Sequence, residues 1–211
     1  MDENKKSGEM LSEQEKFWLG KFGDEYQDRN NSNELLAQKT AFYASVIKGM
    51  DKFGSCIEFG SNIGLNLLAV RNLVPDCELS AIEINPRAVE ELKRIKNLQV
   101  YNQSIFDFVP DSKRDVVIIQ GVLIHINPEK LNEVYDLLYK TSKKYILIAE
   151  YYNQTPVEVT YRGNQDKLFK RDFAGEMMDK FDDLSLVNYG FVYHRDYQFP
   201  MDDITWFLLK K

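Results

Sequence analysis

Two carboxylates and two glycines form the densest chemical signal in this chain. Glu58 lies in the apolar run Ile57–Phe59, which leads into Gly60-Ser61-Asn62-Ile63-Gly64. A second acid, Glu83, closes the next apolar run, Leu79-Ser80-Ala81-Ile82-Glu83, nineteen residues after Gly64. Glycine has no Cβ, so Gly60 can turn the chain sharply at a strand end, and Gly64 can let a helix start close to a ligand or strand. Carboxylates are acceptors, and a pair of them flanking such a turn suits hydroxyls and an ammonium rather than phosphates. A dinucleotide site uses a similar turn and a similarly placed acid, but its G-x-G-x-x-G spacing lets the backbone approach a pyrophosphate. Here Asn62 stands at the middle glycine, and the last glycine comes one residue early.

These residues need a strand, a tight turn and a helix to position them, and the neighbouring pattern supplies all three. Strand 1 is expected at about 56–59 and a helix at 63–73. Strand 2 covers 79–83, and Asn85-Pro86 caps a helix running to about Lys96. Strand 3 is 98–101, and strand 4, Asp115-Val116-Val117-Ile118-Ile119, is apolar on both faces as a central parallel strand must be. Asn127-Pro128 repeats the capping device before Leu131, Val134, Leu137 and Leu138. Strand 5 is 144–150, followed by about twenty residues of loop and a helix capped by Asp172 that carries Phe173, Met177 and Phe181. Leu184–Tyr193 and Ile204–Leu209 have no helix between them and read as an antiparallel pair. Upstream, Ser32 or Asn33 caps a helix over 33–50. Gly20 and Gly23 break the aromatic stretch Phe17, Trp18, Phe22, Tyr26 into a short helix and an ordered loop. The alternation predicts a doubly wound α/β sheet. Residues 1–50 are expected to form a helical lid or strap packed on the core, and 51–211 the main domain.

Composition narrows the class. With 211 residues, 44% hydrophobic and 28% charged, the chain is long enough for one full core. Its 27 Lys+Arg against 33 Asp+Glu give a net charge of −6, which disfavours nucleic acid and anionic membrane as partners. No run approaches the ~20 apolar residues of a membrane span, and the polar start lacks a leader core. Cys56 and Cys77 read as buried free thiols. The expected compartment is the cytoplasm.

The E-x-G-x-x-x-G turn resembles motif I of class I S-adenosylmethionine-dependent methyltransferases. Their cofactor has a ribose diol, an adenine and an amino-acid tail, and no phosphate. The resemblance implies a Rossmann-like sheet of order 3-2-1-4-5-7-6 with strand 7 antiparallel, and S-adenosyl-L-methionine as cofactor. It assigns Glu58, Gly60, Asn62, Gly64, Glu83, Ser104, Ile105 and Gln120 to the cofactor. Glu83 would take the ribose hydroxyls, Ser104 and Ile105 the adenine (an ordinary turn being the alternative), and Gln120 the methionine part. His125 falls in the loop that borders the transferred methyl in that family and is the base candidate, with a structural hydrogen-bonding role as its alternative. His194 reads as structural.

The loop after strand 5 carries Arg162, Lys167, Lys170 and Arg171 in an otherwise acidic chain, and its length suits function. A positive lining there would grip a small anionic substrate, whereas a solvated loop would grip nothing. Tyr26, Arg29, Tyr151, Tyr161, Arg162 and Lys170 are the substrate candidates. A narrower resemblance rests on Phe17-Trp18-x-Gly20-x-Phe22-Gly23-Asp24-x-Tyr26-x-x-Arg29-Asn30, the turn itself, Leu123-Ile124-His125-Ile126-Asn127-Pro128, Tyr161-Arg162-Gly163 and Lys170-Arg171-Asp172-Phe173. Together these look like the pseudaminic acid biosynthesis-associated methylases. That likeness implies a bacterial enzyme of surface-glycan synthesis, methylating a nonulosonic sugar acid or its nucleotide-activated form at O or N. Methylation of a protein or peptide, and a noncatalytic cofactor-binding partner, are the competing readings. The oligomeric state is not legible.

Overall fold

Runs that are apolar on both faces must be covered on both faces, and the chain does this by laying helices on each side of one seven-stranded sheet. The computed structural model describes residues 12–20, 22–23, 32–160 and 168–211. The strands are β1 (Ser55–Phe59), β2 (Glu78–Glu83), β3 (Leu98–Asn102), β4 (Arg114–Gln120), β5 (Ser142–Glu150), β8 (Ser185–Val192) and β9 (Ile204–Lys210); β6 (Val157–Glu158) and β7 (Phe169–Lys170) form a separate short hairpin. Their order is β3-β2-β1-β4-β5-β9-β8, and the first five are parallel. β9 runs antiparallel to both β5 and β8. This is the expected order, with β9 in the place of strand 7.

The helices are α1 (Glu13–Leu19), α2 (Asn33–Ile47), α3 (Leu65–Leu73), α4 (Pro86–Lys93), α5 (Leu131–Thr141) and α6 (Phe173–Lys180). One face of the sheet buries Leu67, Ala69 and Val70 of α3, Phe42, Tyr43 and Val46 of α2, and Leu92 of α4 against Val116, Ile118, Tyr145 and Leu147. The other buries Val134, Tyr135 and Leu138 of α5 and Phe173 and Met177 of α6 against Val117, Ile119, Ile146 and Ile148. Alternate residues of β4 and β5 thus belong to opposite cores, as a central parallel strand requires. Cys56 and Cys77 are buried free thiols.

Several boundaries differ from expectation. α2 stops at Ile47 because the chain tightens there, with the Gly49 N–H reaching Val46 O at 3.1 Å. α3 starts at Leu65 because Gly64 is left-handed, and α4 ends at Lys93 rather than Lys96. A 3₁₀ turn, Pro128–Lys130, precedes α5. The hairpin β6–β7 interrupts what reads as plain loop; two residues a side are too few to show alternation. No described helix is long and apolar enough to cross a membrane.

Candidate functional site

The sheet order reverses between β1 and β4, and the glycine turn lies at the carboxyl end of β1, where open α/β sheets hold ligands. Gly60, Asn62 and Gly64 all adopt left-handed backbone, with φ of 75°, 46° and 83°. A Cβ on Gly64 would meet Ile95 and Leu92 side chains at 2.7 and 2.8 Å. Its bare backbone therefore serves packing against the α4 region, and Gly64 does not line the cavity, whereas Gly60 and Asn62 do. Four of the turn's five amides are engaged internally: Gly60 and Ser61 N–H reach Ile82 O at 2.9 and 3.0 Å, and Gly64 N–H reaches Ser61 O at 2.9 Å. Asn62 N–H reaches Glu83 Oε2 at 2.7 Å. These four amides offer no cradle to a phosphate.

Glu83, 8% exposed, also accepts the Asn85 N–H through Oε1 at 2.8 Å. Burial raises its pKa, and the N–H bonds oppose that rise. Each carboxylate oxygen keeps a lone pair for a further donor. Glu58 is fully buried below the cavity and does not line it. Its Oε1 accepts from Asn66 Nδ2 at 2.5 Å, and Asn66 Oδ1 accepts from Lys39 Nζ at 2.7 Å. Burial pushes the Glu58 carboxyl up and the Lys39 ammonium down. Glu58 Oε2 is buried without a hydrogen-bond partner among the described residues. Gln120 Oε1 accepts from the Tyr43 hydroxyl at 3.0 Å.

Helix α1 roofs this end. Ser12 and Glu15 form a capping box, with Ser12 N–H on Glu15 Oε2 at 2.7 Å, while Glu15 Oε1 accepts the Ser104 hydroxyl. Asn85 Nδ2 donates to Trp18 O at 3.1 Å, and the Trp18 ring meets His125 edge-on at 4.9 Å between centroids. Ser104 and Ile105 do line the cavity, but the Ser104 hydroxyl is already directed at α1. His125, 6% exposed, ends the 3₁₀ turn Leu123–His125. Glu150 Oε1 fixes that turn by accepting Val122 and Leu123 N–H at 3.0 and 2.9 Å. Burial pushes the Glu150 carboxyl up to about 8, and its Oε2 has no partner among the described residues.

The cavity so formed measures about 660 Å³, within the range of small-ligand sites. Tyr151 lines it; Lys170 does not, and instead sits 5.3 Å over the Tyr151 ring. Arg171 is paired with Glu176 at 2.7 Å. Tyr26, Arg29, Tyr161, Arg162 and Lys167 lie outside the described residues. Lining residues that the sequence did not assign to a site include Glu15, Lys39, Asn66 and Glu150; Trp18 of the expected strap and His194, expected to be structural, line it too. Of the first four only Glu15 left a readable signal, the Ser12-x-x-Glu15 capping box. A concavity at the opposite ends of the strands holds Arg114, which is satisfied by Asp111 at 3.0 Å and by Ser112.

No family model and no curated protein matches the chain. Solved structures do. It is similar to Burkholderia thailandensis 1,6-didemethyltoxoflavin-N1-methyltransferase with bound 1,6-didemethyltoxoflavin and S-adenosylhomocysteine (TM-score 0.69, 8% identity, 93% of this chain and 86% of that one). It is also similar to the magnesium protoporphyrin IX methyltransferase of Synechocystis PCC 6803 with bound S-adenosylhomocysteine (0.66, 12%, 93% and 97%). A third is the N-methyltransferase NodS of Bradyrhizobium japonicum WM9 in complex with S-adenosylhomocysteine (0.63, 12%, 89% and 97%). The sheet order, the single antiparallel strand and the flanking helices give this chain the Rossmann-like fold of the methyltransferases.

Proposed function

We propose that this chain is an S-adenosyl-L-methionine-dependent methyltransferase acting on a small acceptor. The observation that carries the reading is the Glu83 carboxylate, fixed by Asn62 and Asn85 amides over a glycine turn four of whose own five amides are already engaged. Such a site accepts a diol and suits a pyrophosphate poorly. The buried, half-satisfied Glu58 below Asn66, with Gln120 beside them, suits the ammonium end of an amino-acid tail. Bound there, the cofactor supplies a methyl group activated on a sulfonium. The chain's part is to hold acceptor and methyl in line and to exclude water. Residues 1–50 act as the strap that completes the site, and 51–211 as the cofactor-binding domain. Ile105 packs the adenine and Ser104 shares its hydroxyl between that ring and Glu15.

The roof formed by α1 favours a small molecule over a protein or peptide, which would need an open groove. We assign the acceptor to the sugar acids of bacterial surface-glycan synthesis, free or nucleotide-activated, and the enzyme to the cytoplasm. Acidic side chains (Glu15, Glu83, Asp107, Glu133, Glu150, Asp202) outnumber the lysines Lys39 and Lys130 in the described lining, which suits the hydroxylated body of such a molecule. Its anionic group would be gripped at the rim, where Lys170 covers Tyr151 and the basic stretch with Arg162 precedes it in the chain. His125, under Trp18, borders the acceptor. Calorimetry with S-adenosylhomocysteine and with NAD tests the reading: micromolar or tighter binding of the first and none of the second is expected. The reverse pattern overturns it, and tight binding without methyl transfer to any small molecule would leave a noncatalytic cofactor-binding protein.

A further inference from the structure

We propose that His194, held by Asp203, is the general base of the transfer, and that the accepting atom is therefore a hydroxyl oxygen. The proposal rests on the methyltransferase reading above. His194 Nδ1 lies 2.8 and 2.9 Å from the two carboxylate oxygens of Asp203, and the His194 backbone N–H donates to the same Oδ1 at 3.0 Å. One side chain thus fixes both the ring and the backbone of the histidine. The backbone N–H of His194, and then its ring, hold the Asp203 carboxyl below the ordinary range, so it is ionised at neutral pH. An ionised carboxylate at Nδ1 selects the tautomer protonated there and leaves Nε2 as the lone-pair nitrogen.

Topology brings His194 of this pair to the rim of the cavity. β9 is antiparallel to β5 and pairs Thr205 with Glu150, so the connection between β8 and β9 hangs over the carboxyl end of β5. His194, Met201 and Asp202 from that connection line the same cavity as Glu150, Tyr151 and Gln120. Asp202 adds a negative charge beside the pair, with Lys39 of α2 facing Asp202 and Lys170 of β7 facing Asp203. The Tyr193 ring stands edge-on to the imidazole at 4.8 Å.

The other histidine is less suited to this role. A base that turns over must return its proton to water. His125 is 6% exposed beneath Trp18, whereas the His194 side chain is 56% exposed at the rim. In the step itself, the acceptor oxygen forms a bond to the methyl carbon as the carbon–sulfur bond breaks and the sulfonium becomes a neutral thioether. The hydroxyl proton passes to His194 Nε2; the imidazolium, paired with Asp203, then loses it to solvent. A neutral amine already presents its lone pair and needs no such base, so an oriented imidazole at this position marks a hydroxyl acceptor.

Two measurements on the full chain decide the matter. In the S-adenosylhomocysteine complex, ¹⁵N NMR should show His194 as the Nδ1–H tautomer, and Asp203→Asn should turn it into a mixture. With tritiated S-adenosylmethionine and the small-molecule fraction of a bacterial extract, His194→Asn should lower methyl transfer by about 10²–10⁴-fold while S-adenosylhomocysteine affinity stays as in wild type. Wild-type rates in His194→Asn, or label recovered on nitrogen, would overturn the assignment while leaving the methyltransferase reading intact. Failure of S-adenosylhomocysteine to bind any variant would overturn both.

Discussion

Asn62 gives its backbone N–H to Glu83 at 2.7 Å, which ties the left-handed residue of the turn to the last residue of β2. The acid that would receive a ribose is thereby oriented before any ligand arrives.

Removing that acid should be felt in cofactor binding first. Glu83→Ala is expected to weaken S-adenosylhomocysteine by about 1–3 kcal/mol, since the diol loses a charged acceptor and the Asn62 and Asn85 amides lose theirs. Calorimetry at fixed salt measures this. Unchanged affinity would take Glu83 out of the site.

Glu150 predicts a pH signature of stability. Its carboxyl titrates at about 8 in the fold, against 4.5 for an ordinary glutamate such as the unfolded chain presents. Between those values the folded chain holds a proton that the unfolded chain has released. Stability therefore falls as pH rises through this window, by about 1.4 kcal/mol per unit for one fully shifted group, and levels off above it. Glu58 contributes in the same direction. Glu150→Gln keeps an acceptor for Val122 and Leu123 but cannot ionise, so its melting temperature should drop less between pH 5 and 8 than that of wild type. Parallel curves from thermal melts of the ligand-free proteins would refute the assignment.

The fold was almost fully legible because its signals are collective: apolar runs such as 115–119 and the Asn-Pro caps each repeat a pattern over many residues. Ser32, Asn85 and Asp172 cap their helices where the sequence placed them. Of the residues that line the cavity, the sequence singled out those at strand ends and turns, such as Glu83 and Gln120. Lys39 and Asn66 meet across two helices, and His194 meets the cavity only because β9 reverses. No local pattern encodes those approaches. Gly64, which the sequence left free to approach either a ligand or a neighbouring element, lies against Leu92 and Ile95 and does not line the cavity.

Glu15 should govern how fast ligand leaves. Its carboxylate joins Ser12 to Ser104, so Glu15→Ala loses the α1 cap and the anchor together. A loss of about 1–2 kcal/mol implies S-adenosylhomocysteine dissociating roughly 5- to 30-fold faster. Stopped-flow displacement would show it, and an unchanged off-rate would separate α1 from the site.

The basic stretch makes the fourth prediction. Neutralising Arg162 or Lys170 to Gln should raise the acceptor KM by roughly 10- to 150-fold with cofactor affinity little changed. Added salt should weaken the acceptor less in these variants than in wild type. Similar KM values with parallel salt curves would remove the anionic grip.

Helix α1 has seven residues, fewer than an isolated helix needs to persist in water. Its order is borrowed from Ser104 and Asn85 on the sheet side. Opening of this roof is therefore expected to be a local melting of α1 rather than a rigid swing: amide exchange in 13–19 should report the same opening that admits the ligand, and a ligand in place should slow both.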